Sequence, residues 1–387
     1  MKKDEVFFEA KLHKDIREMM KESYKNYPEN IAFIIKNKED SKINYTNITY
    51  KMLESDVEAL GTGLMHLGLH RKHIAIIAKN RYEWCLTYLT TLCGLGVAVP
   101  LDKSLPHGEI ENLLQRSNAQ AVVFEKEYYD IMNQIKQKNT NVKYFISMDE
   151  KEDNEFLSFN KIIEIGRKLL KEGNNEYINT QINPEEMGII IFTSGTTSLA
   201  KAVMLSQKNI VSNIYSMSLV EKILSTDISL TFLPLHHTFG STGLLLFLSK
   251  GVTNTFCDGL KYIQKNLAEY KVSIFVCVPL LLEAMHKRIF KEIEKQGKLK
   301  KVNTGIKISN FLLKIGIDIR KKLFKDILSS LGGHLRFVVS GAAGIDKTVA
   351  KHFNDFGIYT VQGYGLTETS PVLMAENSKY IKYGSVG

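Results

Sequence analysis

Residues 188–208 read G-I-I-I-F-T-S-G-T-T-S-L-A-K-A-V-M-L-S-Q-K. Thr193, Ser194, Gly195, Thr196, Thr197 and Ser198 set five hydroxyls and one glycine in a row, and Lys201 follows. Hydroxyls and free backbone N–H groups donate hydrogen bonds, glycine lets a backbone come close, and lysine adds a point charge. That is chemistry suited to a phosphate. The stretch is not a Walker A loop, which needs glycine directly before the lysine and Ser or Thr directly after it. Here Ala200 and Ala202 flank Lys201. A plain Ser/Thr-rich surface turn is the competing account of the same residues.

Two more stretches carry chemistry. L-P-L-H-H-T-F-G, residues 233–240, puts His236 and His237 at the exit of an apolar run, where ligands bind in open α/β sheets. Ordinary loop histidines would look the same, and no carboxylate or thiol stands at metal-ligand spacing. Downstream, S-G-A-A-G (340–344) follows L-R-F-V-V, and its small residues let a flat ring approach the backbone. V-Q-G-Y-G-L-T-E-T-S-P then fills 361–371. Tyr364 can stack on a base, Thr367 can donate to a phosphate, and Glu368 can hold Mg2+. Taken singly, this is also an ordinary glycine-bearing turn capped by Thr.

These residues are far apart in sequence and need a scaffold that gathers strand ends. Apolar runs predict strands over 31–35, 73–78, 97–101, 121–124 and 142–147, and then 189–192, 230–233, 252–256, 273–278, 335–340 and 358–361. Helical spacing predicts helices over 15–24, 49–67 with Thr49 as cap, 81–92, 108–117 and 128–138. Strands alternating with helices imply βαβ units. The expected fold is α/β, two lobes each with a mainly parallel sheet flanked by helices. Residues 1–46 form a leading segment, the acidic stretch 149–160 a loop, and polar 172–184 a lobe boundary. The lobes are then 1–184 and 185–387, the second carrying the site.

At 387 residues the chain is too long for one typical core. Its 44% hydrophobic and 24% charged composition is that of a soluble globular protein. No apolar run approaches the ~18 residues of a membrane span, and the N-terminus lacks a signal-peptide core, so a cytoplasmic protein is expected. Cys85, Cys93, Cys257 and Cys277 have no C-x-x-C spacing and read as buried free thiols. The formal charge of +9 is concentrated: residues 287–325 hold thirteen Lys/Arg and three Asp/Glu. The remainder, 38 positive against 39 negative, is balanced, which excludes a generally nucleic-acid-coating protein.

Taken together, 193–201, 341–343 and 363–368 resemble the signature motifs of the adenylate-forming superfamily, which includes acyl-CoA synthetases and luciferases. K-A-V-M-L-S-Q-K-N-I, L-P-L-H-H-T-F-G and S-I-F-V-C-V-P-L-L-L-E look most like bacterial AMP-forming long-chain acyl-CoA synthetases. The resemblance implies that Thr193, Ser194, Gly195, Thr196, Thr197 and Lys201 hold the ATP phosphates. It puts Gly341, Ala342 and Ala343 along the adenine and Tyr364 stacked on it between Gly363 and Gly365. It sets Thr367 at the α-phosphate, Glu368 on Mg2+, and His237 beside the carboxylate being activated. A fatty acid would become an acyl-adenylate with release of pyrophosphate, and coenzyme A would then displace AMP.

The chain departs from that family in two ways. Ser198 and Ala200 stand where the family has glycine and proline, which implies a looser loop and weaker ATP affinity. The family also continues into a ribose-binding aspartate, a hinge and a small C-terminal lid with a catalytic lysine, so the chain is expected to be a fragment without the lid domain. Transfer to a carrier protein, or a non-catalytic nucleotide- and acyl-binding module, are the alternatives. The run 243–248 and residues 361–363 are candidates for an acyl tunnel, or plain core. Segment 287–325, where apolar and basic residues interleave at helical spacing, is expected to contact anionic lipid or to be a core-packed helix with a solvated lysine face.

Overall fold

The computed structural model describes residues 7–39, 42–138, 140–149, 155–193 and 200–386. In chain order its strands are β1 (Ile31–Glu39), β2 (Lys42–Thr49), β3 (Lys72–Ile77), β4 (Gly96–Pro100), β5 (Ala119–Phe124), β6 (Tyr144–Ser147), β7 (Leu157–Ser158), β8 (Met187–Thr193), β9 (Lys201–Ser206), β10 (Ile228–Thr231), β11 (Thr253–Phe256), β12 (Ile274–Cys277), β13 (Phe337–Ser340), β14 (Tyr359–Gly365) and β15 (Val372–Ala375). They form two sheets. One has the order β7-β6-β5-β3-β4-β8-β9 and the other β15-β14-β13-β12-β10-β11-β1-β2. Both are parallel except at their ends, where β9, β15 and β2 pair antiparallel. This is the expected α/β architecture of two helix-flanked, mainly parallel sheets.

Side-chain alternation explains why each sheet is covered on both faces. In β3, Ile74 and Ile76 enter a central core, while Ala75 and Ile77 enter an outer one. In the second sheet Ile274 and Phe337 face the central core, and Phe275 and Val338 the opposite side. Helices packed between the sheets, such as Tyr50–His66 and Thr238–Ser249, fill that central core. A Leu or Ile buried there contributes about 1.5–3 kcal/mol. The predicted cap holds: Thr49 accepts from the Met52 N–H at 3.2 Å.

Three features differ from expectation. The hairpin strand β2 was not anticipated, because K-I-N-Y-T-N-I-T leaves its first six residues exposed and so shows no apolar face. The expected loop over 149–160 contains β7, and a helix, Phe159–Lys171, starts within it, capped by Ser158. Residues 150–154 of that loop lie outside the described residues. The sheets also do not part at residue 184. Strands β8 and β9 complete the first sheet through the Ala98–Ile189 pair, and β1 and β2 complete the second. The polar stretch before residue 184 is tied down as well. Arg17 donates to the carbonyls of Tyr177, Ile178 and Thr180, and buried Tyr177 donates to Thr90 O at 2.8 Å.

All four cysteines are free, with Cys257 half-buried and the others buried. Among the described residues no helix is long and apolar enough to cross a membrane.

Candidate active site

Strands β10, β12, β13 and β14 are parallel neighbours, so their C-terminal ends open on one side. A cavity of about 550 Å3 lies there. Of the residues singled out from sequence, His237, Gly341, Ala342, Gly363, Tyr364, Gly365 and Thr367 all line it. Residues 237 and 367 are 130 positions apart in the chain, and the sheet alone brings them together. Ala343 and Glu368 are exposed next to this lining rather than part of it.

The opposite wall is apolar. Helix Thr238–Ser249 sorts the run G-L-L-L-F-L by its helical period. Gly243, Leu246 and Phe247 line the cavity, joined by Val339 and Val361; Leu246 and Phe247 also belong to the central core, with Leu244, Leu245 and Leu248, which do not reach the cavity. From Leu244 to Leu248 the run is thus core along its whole length, and part of it also borders the cavity. A Cβ built on Gly243 would meet nothing within 4 Å, so its missing side chain is part of the open volume.

Backbone conformation shapes the β13 exit. Gly341 is buried and a Cβ there would meet the Phe239 ring at 2.7 Å, so glycine is required by close approach. Ala342 has φ 69°, a left-handed conformation costing roughly 1–2 kcal/mol for a residue with a Cβ. Tyr364, 45% exposed, lines the same cavity.

His237 precedes the first turn of helix Thr238–Ser249 and is open to solvent at the cavity mouth. His236 is buried against it, ring centroids 4.2 Å apart. Its Nε2 has no hydrogen-bond partner and lies 3.6 Å from Asp102 Oδ1, in the loop after β4 of the other sheet. Burial, then the neighbouring His237, pushes His236 down to about 4 against the opposing pull of Asp102. Desolvation also lowers His237, again opposed by Asp102. Both rings are therefore neutral near pH 7 and act as hydrogen-bonding groups rather than fixed charges.

The phosphate-loop residues Ser194, Gly195, Thr196 and Thr197, with Ser198, lie outside the described residues. Both ends of that loop are described. Thr193 and Lys201 are cross-strand partners in the β8–β9 pair, and Lys201 is exposed. Strand β9 in turn lies against the tight turn Thr367–Thr369. The strand that begins at Lys201 is thus a neighbour of the turn that carries Glu368.

Sequence reasoning missed the residues that hold these loops. Asn213, on helix Gln207–Val220, donates to Thr369 O (3.2 Å) and Val372 O (2.7 Å) and accepts from the Val372 N–H (3.3 Å). Arg116 stacks over Phe192, 5.5 Å from guanidinium carbon to ring centroid, and donates to Ala200 O at 2.7 Å. It thereby grips the chain on both sides of the hydroxyl-rich loop. Neither residue belongs to a motif, and only the fold shows what each touches.

Comparison with known proteins follows this geometry. Residues 20–387 match the profile of the AMP-binding enzyme family. Mouse (Mus musculus) long-chain-fatty-acid–CoA ligase 5 is 30% identical over 352 residues, an alignment covering 84% of this chain and 50% of the mouse protein. The chain thus spans about half the length of the curated relatives it matches. Among solved structures, the anthranilate CoA ligase AuaEII in complex with anthranoyl-AMP superposes with a TM-score of 0.74 at 15% identity, covering 98% of this chain and 64% of that one. A long-chain-fatty-acid-CoA ligase from Archaeoglobus fulgidus gives 0.72 at 16% identity, covering 97% and 69%. At these identities the structures speak for the fold. The profile match, which spans nearly every strand described above, places this chain in the AMP-binding enzyme family.

Proposed function

We propose that this chain is the ATP- and acyl-binding part of a fatty acid–CoA ligase that works through an acyl-adenylate. One observation carries the reading: a single cavity is apolar along helix Thr238–Ser249 and carries polar side chains at Tyr364 and Thr367. An alkyl chain fits the first wall and a nucleotide the second, with His237 at their junction. The names of the curated relatives support the same substrate class.

In the proposed reaction a carboxylate oxygen attacks the α-phosphorus of ATP, the bond from that phosphorus to the β-bridging oxygen breaks, and pyrophosphate leaves. The thiol of coenzyme A, losing its proton, then attacks the acyl carbonyl and AMP leaves. Neither step needs a side-chain nucleophile, so positioning and charge neutralisation carry the work. Tyr364 stacks on the adenine along Gly341, Ala342 and Ala343, with Gly363 and Gly365 keeping the approach open. Thr193 to Thr197 and Lys201 grip the phosphates, and Thr367 donates to the α-phosphate. Neutral His237 orients the carboxylate without pairing with it as an ion.

Glu368 is exposed on a tight turn at the crevice rim. A lone carboxylate beside substrate phosphates is a common way of holding Mg2+, so the site fits that ion. Bound there, Mg2+ would neutralise phosphate charge.

Binding of acyl-sulfamoyl-adenosines, stable mimics of the intermediate, tests the reading on this chain. The palmitoyl compound should bind at least tenfold tighter than the acetyl one, since its tail buries apolar surface. Equal affinity for both, or none for either, defeats the proposal. Product analysis with coenzyme A and with a carrier protein then separates the two acceptors.

A further inference from the structure

Helix Leu299–Lys314 buries Gly305, Ile306 and Ser309 against the fold. A surface helix normally presents polar residues at the centre of its opposite face. Here the exposed side carries Ile308 (50% exposed) and Phe311 (66%), continued just past the helix by Ile315 (60%). These three stand at i, i+3 and i+7, one stripe along the outer surface. Lys300, Lys307 and Lys314 recur along one edge of the stripe, and Lys301 stands on the other. Exposed Ile317 and Leu323 extend the apolar surface, and exposed Lys321, Lys322 and Lys325 extend the basic one. Across 299–325 there are eight Lys/Arg and a single acid, Asp318, which Arg320 pairs at 2.7 Å.

We propose that this face docks on an anionic membrane surface. The charge pattern selects that occupant. A second copy meeting the stripe face to face would bring lysine edge against lysine edge, at a repulsive cost. A nucleic acid would satisfy the lysines and leave Phe311 and the isoleucines wet. An anionic bilayer meets both demands: the apolar stripe enters the acyl boundary, and lysines on either side reach up to headgroups. The sequence left a solvated lysine face as the alternative. The exposed side carries Phe311 and the isoleucines as well as lysines, and that mixture favours the lipid reading.

The test needs no nucleotide and stands or falls separately from the ligase reading. The full chain is sedimented with vesicles of phosphatidylcholine alone and of phosphatidylcholine mixed with phosphatidylglycerol, at low and high salt. Pelleting with the anionic vesicles only, weakened by salt, is expected. Each lysine near the surface contributes about a fivefold gain in partitioning, so the triple variant K301Q/K307Q/K314Q should bind roughly a hundredfold more weakly. The double variant Phe311→Ser and Ile315→Ser should lose vesicle binding while keeping the parent melting temperature and its affinity for the palmitoyl adenylate mimic. Equal pelleting with both vesicle types, or binding unchanged in both variants, overturns the proposal. So does a dimer in solution that the Phe311→Ser and Ile315→Ser variant dissociates, which would make the stripe a self-association surface.

Discussion

Helices Thr238–Ser249 and Leu299–Lys314 both carry apolar residues on opposite faces, and the fold treats them differently. The first packs one face into the central core and gives the other an interior cavity. The second packs one face and leaves the other to solvent. Hydrophobic burial is non-directional, so each apolar face calls for a partner of some kind. The partner proposed for the first is the acyl group of a substrate, and for the second a lipid surface. The contrast shows that a run such as G-L-L-L-F-L cannot be classed as core or cavity wall alone, because Leu246 and Phe247 are both.

Substitutions can break that contrast at graded cost. Leu245 is fully buried, and Leu245→Ala should cost about 2–5 kcal/mol in denaturant melts, the usual range for a core leucine. A near-neutral result would mean that the buried face is loosely packed. One turn away the cavity face should behave oppositely. Gly243→Phe meets open space, so the protein should fold, while affinity for the palmitoyl adenylate mimic falls about a hundredfold and the acetyl mimic is little affected. Equal losses for both mimics would place the alkyl chain elsewhere.

At the mouth of the same helix, His236 tests whether that end is dry. Its folded value of about 4 lies below the ordinary 6.5, so the folded state resists protonation. The stability this represents is present above pH 6.5 and is lost as pH falls from 6.5 towards 4. In His236→Gln the stability profile between those values should flatten, and an unchanged acid limb would mean that the ring is hydrated. The smallest effect is expected on the outer stripe. Phe311→Ser should change stability by no more than about 0.5 kcal/mol, and a large loss would show that this face is packed after all.

Much of this was legible in sequence. Strands β3, β4, β5 and β12 to β14 announce themselves as apolar runs, because sheets covered on both faces need side chains of one kind throughout. Helix ends were visible where a side chain caps them, as at Asp15 and Thr49. The members of the cavity lining were legible through motif residues such as Gly341 and Tyr364. The edge strand β2 was not, since its first six residues are all exposed and show no apolar face. Nor were Asn213 and Arg116, whose work is to hold loops from other elements: an Asn on a helix and an Arg at a helix end look like surface residues until the chain is folded. The division at residue 184 failed to mark the sheets for a related reason. Polarity along 172–184 suggested a tether, but Arg17 and Tyr177 make that stretch part of the packing.

Strand β1 is synthesised early, yet its parallel neighbour arrives late: Phe33 lies opposite Asn254. At about 5–20 residues per second a ribosome needs roughly 10–40 s to make the intervening chain. During that interval the nascent β1–β2 hairpin has two open edges and little to lean on, a state prone to pairing with the wrong neighbour. Halves cut at residue 184 would each hold a strand pair belonging to the other's sheet. Translation speed and chaperone access over the first 250 or so residues therefore bear on the yield of this protein as directly as any contact in its finished form.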